Sequence, residues 1–217
     1  VICLGGNFTE VKNNDFDDIN VPVVLTSVNH KYGKEFSNFS SVSIDNEKSA
    51  YSATKYLIDC GHKDIVLMLG DENDIGISHR REAGYLKALS ENNIPFNKEY
   101  RILGNYDYRG AYNETIKFLS KHKKVTAIFA ISDIMAMGCA KAIKDSGLIV
   151  GKDISIIGFD GMDISEFYNP TITTIIQPKV EMAKISVDLL LDLMANKTDN
   201  KHIILNTELV ERESTKI

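Results

Sequence analysis

Between residues 46 and 160 the spacing of apolar residues switches repeatedly between two regimes, and that alternation most constrains the fold. Short apolar or β-branched runs (Ile65 to Leu69, Arg101 to Leu103, Thr126 to Ile131 and Ile154 to Phe159) alternate with stretches of helical period. Ala50, Ala53, Leu57 and Cys60 share one helical face. Ala83, Leu86 and Leu89 mark a second helix, Tyr112, Ile116 and Leu119 a third, and Ala136, Ala140 and Ile143 a fourth. Strand–helix–strand units of this length close right-handed and build a parallel sheet with helices on both faces. The expected class is α/β.

The flanks extend the pattern. Val1 to Leu4, Val21 to Leu25 and Ser41 to Ile44 read as strands, separated by polar segments at Gly5 to Asn20 (with an acidic patch at Asp15 to Asp18) and Asn29 to Ser40. After Asp160, the Tyr168-Asn169-Pro170 step stops any helix and makes Asn169 extended. Thr171 to Ile176 is then a strand, and Gln177-Pro178 opens a helix carrying Val180, Ala183, Val187, Leu190 and Met194 at 3.6-residue spacing. His202 to Asn206 and Glu208 to Val210 finish as strands. The chain opens without methionine inside an apolar run, which suggests a fragment with sequence missing upstream.

At 217 residues there is room for one large or two small domains with a real core. Apolar residues at 43% and charged residues at 25% fit a soluble globular protein. A net charge of -5 lacks the basic footprint of a nucleic-acid surface, so these residues are not the part that would touch DNA. Cys3, Cys60 and Cys139 are widely spaced without a CxxC, as expected of inert thiols in a reducing cytosol. Asn-x-Ser/Thr matches at Asn7, Asn38, Asn113 and Asn196 carry no meaning without a secretory signal. Neither a signal peptide nor a bilayer-spanning run is present, so a cytoplasmic protein with no membrane partner is expected.

Enzyme signatures come up short. No GxGxxG, GxxxxGK[ST], GxSxG or HExxH occurs, and Gly5-Gly6 lacks the helix pattern of a phosphate loop. His30, His62, His79, His122 and His202 are scattered. The expectation is no catalysis, no cofactor and no metal. What converges instead is a set of polar and aromatic residues at strand tips, where open α/β sheets bind ligands. Asp160 ends the Ile154 strand, Ser132 and Asp133 follow the Thr126 strand, Tyr106 follows the Arg101 strand, and Arg81 heads the helix after the Ile65 strand. Structural readings stand beside these: Asp133 and Asp45 as helix caps, and Tyr106 as a loop aromatic packed on its neighbours. Arg81 is poorly placed against the helix macrodipole, which favours a paired or ligand-facing role. Arginine donors, carboxylate acceptors and a tyrosine face together suit a small polyhydroxyl ligand.

The order DISIIGFDG, FYNP, TTIIQP resembles the signature of the lac and galactose repressor family. Further segments resemble it in the family's order: SIDNEKSAYSATKYLIDCGHKDI, RREAGYLKAL, TAIFAISDIMAMG and LVERESTK. The resemblance implies a two-lobed type I periplasmic-binding-protein fold, with residues 1–58 (a partial lobe) and 177–205 in one lobe, 59–176 in the other, and 206–217 as C-terminal strand and tail. By that mapping the first lobe lacks its opening βα units and the DNA-binding head. The resemblance also implies a homodimer that binds a small-molecule effector, a sugar above all though purines occur in the family. Lobe closure on the effector would control operator binding through a helix-turn-helix domain absent from this chain. Carried over by position, Arg81, Tyr106, Ser132, Asp160 and Gln177 are effector contacts, with Asp45 and Asp133 as further candidates. Ser132 stands where the family commonly has asparagine. The rival reading is a solute-binding protein of a sugar transporter.

Overall fold

The computed structural model describes residues 1–5, 15–28, 38–74 and 76–215. The expected loops at Gly5 to Asn20 and Asn29 to Ser40 lie partly outside the described residues, and Gly6, Asn7 and His30 wholly so. In chain order the elements are β1 (Ile2–Leu4), β2 (Val24–Thr26), β3 (Ser40–Ile44), α1 (Asn46–Asp59), β4 (Ile65–Leu69), α2 (Ile77–Glu91), β5 (Arg101–Leu103), α3 (Tyr108–Lys121), β6 (Ala127–Ala130) and α4 (Asp133–Asp145). There follow β7 (Ser155–Asp160), a short α5 (Ile164–Phe167), β8 (Thr173–Ile176), α6 (Lys179–Met194), β9 (His202–Leu205) and β10 (Glu208–Val210). The α/β alternation expected from the spacing is present throughout.

The chain divides into two compact units. The first comprises Val1–Asp45 and Pro178–Thr207, with a short piece ending at Ile77; the second comprises Asn46–Asp74, Ser78–Gln177 and Glu208–Ile217. The sequence reading drew the first boundary at residue 58, so α1 groups differently here. The cause is packing: Ala50, Ala53 and Leu57 are fully buried, and α1 contacts β6 and β8 of the second unit.

In the first unit four parallel strands run in the order β1-β2-β3-β9. Phe16, Val23, Leu25, Val28 and Phe39 form its core with Cys3, and the Phe16 and Phe39 rings meet edge to face at 5.3 Å. Helix α6 packs on this sheet, but not by the expected face. Met182, Ser186 and Leu189 are buried, while Val180, Val187 and Met194 are exposed. The buried Ser186 hydroxyl sits 2.7 Å from Thr26 Oγ1 on β2, and this polar pair sets which side of the helix faces the sheet.

The second unit has six strands in the order β10-β8-β7-β6-β4-β5, parallel except for the β10–β8 pair. Its two central strands β4 and β6 are wholly apolar and fully buried, as a sheet covered on both faces requires. Ser132, in extended conformation, is the N-cap of α4, its Oγ accepting from Met135 N at 3.3 Å; Asp107 caps α3 in the same way. Gly84 brings α2 against α1: a Cβ there would stand 2.7 Å from Tyr51 N. The tail closes the unit from below. Ser214 Oγ donates to Ile156 O at 2.6 Å, and Arg212 Nη1 donates to Ile172 O at 2.9 Å.

Candidate functional site

The sheet order of the second unit creates one reversal. From β4 the chain goes outward to β5, then crosses back over β4 to place β6 on its other side. A crevice opens outside the carboxyl ends of strands at such a point. The carboxyl ends of β4, β6, β7 and β8 lead to Gly70, Ile131, Asp160 and Gln177.

Arg81 is the centre of what gathers there. It lies in the second turn of α2 rather than at the helix head, and only 3% of it is exposed. Its Nε donates to Asn46 Oδ1 at 2.9 Å, its Nη1 donates to Ile131 O, and Nη1 stands 3.5 Å from Asp160 Oδ1. The guanidinium carbon is 3.5 Å from the centroid of the Phe159 ring. Burial pulls the arginine pKa down, and the Asp160 carboxylate pulls it back up.

Asp160 is placed by register. It pairs with Ile176 across β7 and β8, so Gln177 falls beside it, and Gln177 Nε2 donates to Asp160 Oδ1 at 2.7 Å. The Asp160 side chain keeps 28% exposure. Tyr106 lies on the β5–α3 connection with its ring against Gly70, where any Cβ would collide with it. Its hydroxyl donates to Asp74 and lies 3.0 Å from Ser78 Oγ. Burial, with the Asp74 hydrogen bond second, raises its pKa.

The remaining candidates fall elsewhere. Ser132 is 6% exposed and occupied as a helix cap. Asp133 neither caps α4 nor lines the crevice. It is fully buried, accepting from Thr174 Oγ1 and from Met162 N, both at 2.6 Å. Asp45 is exposed and belongs to the first unit, at the carboxyl end of β3. The sequence reading missed Asn46, Asp74, Ser78 and Phe159. Asp74 and Ser78 follow a strand tip, a position that the strand-end rule singles out; the Arg81–Phe159 contact has no local signal. His62, bonded to Thr126 and Ser155 hydroxyls, sits at the opposite, amino ends of β6 and β7. Among the described residues no group of histidine, cysteine and acidic side chains could hold a metal ion.

A fixed cation over an aromatic ring, a half-open carboxylate and a carboxamide thus meet at the carboxyl ends of the strands of a parallel α/β sheet. The model of the periplasmic binding protein-like domain matches residues 54–215, and the chain belongs to that family. It is 57% identical over 216 residues to the transcriptional regulator MalR of Clostridium butyricum, an alignment covering 99% of this chain and 64% of that protein. The chain thus spans less than two thirds of that relative's length. Among solved structures, the transcriptional regulator CelR in complex with cellobiose is similar with a TM-score of 0.83 at 27% identity, over 92% of this chain and 60% of that one. The lac repressor dimer bound to operator and the anti-inducer ONPF is similar with a TM-score of 0.78 at 28% identity, over 92% of this chain and 58% of that one.

Proposed function

We propose that this chain is the effector-binding and dimerisation region of a bacterial DNA-binding repressor, that it performs no catalysis, and that its effector is a sugar. The observation that carries the reading is the Arg81–Asp160–Gln177 constellation at the strand-end reversal. Asp160 Oδ1 is held by protein donors while the carboxylate stays part-exposed, so it can accept from ligand hydroxyls. Tyr106 offers a ring for the apolar face of a sugar. The complex of CelR with cellobiose supports the ligand class. The operator-bound lac repressor dimer supports DNA and a second copy as partners, and hence a cytoplasmic place of action. Among the described residues no helix is long and apolar enough to cross a membrane.

Dimerisation has a surface to use, and it is not the apolar face of α1. The α1 face of Ala50, Ala53 and Leu57 is already covered inside the second unit. A groove of 520 Å³ runs instead between α3, α4 and α5, lined by Tyr108, Tyr112, Ile134, Met137, Ile164 and Tyr168. Lys141 and Asp145, also in the groove, supply both signs of charge, as a self-complementary surface needs.

The test is calorimetric titration of the full-length protein with cellobiose, maltose and ribose, with hypoxanthine as the purine control. Saturable binding of one sugar, lost in Asp160→Asn and coupled to operator affinity, is expected. Binding of hypoxanthine alone would overturn the sugar assignment. Scattering with and without that sugar reads the proposed closure.

A further inference from the structure

We propose that Asp133 is a positioning residue: it holds Asp160 in its ligand-facing backbone conformation by bracketing the two peptide N–H groups that follow it. The inference rests on the reading of Asp160 as an effector contact. Asp160 has φ +108, a region that side chains other than glycine rarely adopt and that persists only where the surroundings over-determine it. Gly161 follows with φ +63. The next two amides are both tied back to one carboxylate. Met162 N donates to Asp133 Oδ2 at 2.6 Å. Gly161 N donates to Thr174 Oγ1 at 3.4 Å, and Thr174 Oγ1 donates onward to Asp133 Oδ1 at 2.6 Å.

The room for this bracket is built in. Gly158, two residues before Asp160, pairs in register with Thr174, and the Asp133 carboxylate occupies the place a side chain at 158 would take. A Cβ at Gly161 would stand 2.7 Å from Ile176 Cγ1, so the turn runs close against β8 with no room for a side chain. Helix capping does not explain Asp133, because Ser132 caps α4. Nor does ligand contact, because the carboxyl is wholly buried. The group spends its two oxygens on the turn that aims its neighbour. Without them the Asp160 backbone relaxes toward negative φ, and its carboxylate swings off Arg81 and Gln177.

The test uses Asp133→Ala, Thr174→Val and Asp133→Asn in the full-length protein. Asparagine keeps one acceptor for Met162 N and can donate to Thr174, so it is the conservative rescue. Three quantities are measured: melting temperature, the Asp160 φ in crystal structures of the variants, and affinity for cellobiose, maltose and ribose. Expected are a folded Thr174→Val protein with Asp160 at negative φ, at least tenfold weaker binding of whichever sugar the unaltered protein takes, and near-normal binding by Asp133→Asn. Should Asp133→Ala fail to fold, Thr174→Val decides. Asp160 remaining at positive φ with unchanged affinity in Thr174→Val overturns the inference. If the unaltered protein binds none of the three sugars, the functional reading fails while the torsion angle still decides this one.

Discussion

The guanidinium of Arg81 lies 3.5 Å over the ring of Phe159, the residue immediately before Asp160 on β7. Arg81 therefore does two jobs that Asp160 does not. It joins α2 to the carboxyl ends of β6 and β7, and it packs its flat face on the Phe159 ring. Arg81→Ala strips a donor from Asn46 Oδ1 and from Ile131 O in a buried setting. Hydrogen bonds to charged groups contribute roughly 1.5–3 kcal/mol each, so a loss of about 3 kcal/mol is expected. For a chain of this size that lowers the melting temperature by about 6–12 °C. Lysine should not rescue it, having neither the fork nor the flat face.

Asp160→Asn separates binding from stability. The side chain is part-exposed and its contact with Arg81 is long, and the Arg81 bonds to Asn46 Oδ1 and Ile131 O stay in place, so the ligand-free protein should lose less stability than in Arg81→Ala. Sugar affinity should fall about tenfold or more, since a charged acceptor becomes a neutral one. Paired thermal and calorimetric measurements on the two variants check this. A large melting loss in Asp160→Asn would make its role structural.

Element order and the strand-tip cluster were legible because both follow from period and register. Apolar runs of four to six residues ending in a polar residue are hard to mistake, and Asp160 and Gln177 land together through strand pairing alone. Helix faces were less legible. In α2, α3 and α6 the buried side carries Gly84, Thr115 and Ser186, residues chosen for close approach or for a buried hydrogen bond. Apolar counting skips them and settles on neighbours such as Leu86, Tyr112 and Val187. The role of Asp133 was illegible for a related reason: its partners, Met162 and Thr174, are remote in sequence, and only the fold brings them within 2.6 Å. The LVERESTK ending carries no local signal of its role, because Ser214 and Arg212 act by bonding to backbone at β7 and just before β8, remote in sequence.

His62 gives the fold an acid-sensitive point. Its Nδ1 is 2.9 Å from Thr126 Oγ1 and its Nε2 3.0 Å from Ser155 Oγ. Burial lowers its pKa below the ordinary histidine value, and neither hydroxyl carries charge to offset that. A base with a depressed folded-state pKa binds fewer protons folded than unfolded. Its contribution is complete above the unfolded pKa of about 6.5 and is lost as pH falls from there toward the folded value. Urea unfolding at pH 7.5, 6.5 and 5.5 should show stability dropping over the lower interval. In His62→Gln the drop should be shallower; parallel curves for the two proteins would remove His62 as its source.

Gly84→Ala tests the α1–α2 contact. A methyl there meets the α1 backbone at Glu47 and Tyr51, atoms that cannot rotate away. Overpacking of this kind costs about 1–3 kcal/mol, against a helix-propensity gain of up to about 1 kcal/mol in the opposite sense. Net destabilisation in chemical denaturation is expected, and a stabilised variant would mean the helices part without cost.

Among the described residues two apolar surfaces stand out, and they make different claims on a partner. On the second unit, Phe167 is 82% exposed beside the α3–α4–α5 groove, with Ile164 and Tyr108 about half exposed. On the first unit, Val180, Val187, Leu191 and Met194 stand out from α6. The groove carries Tyr108, Tyr112 and Tyr168, the aromatic type enriched at interface centres, whereas the α6 stripe has no aromatic residue. If the groove seats a second copy, Ile164→Glu places a charge in that contact on each protomer. Sedimentation of the full-length protein should then show dimer affinity weakened by at least tenfold, with the melting of the isolated protomer nearly unchanged because Ile164 is about half exposed. Val187→Glu on α6 should leave the dimer intact. The reverse pattern, dissociation by Val187→Glu and none by Ile164→Glu, would move the interface to the first unit.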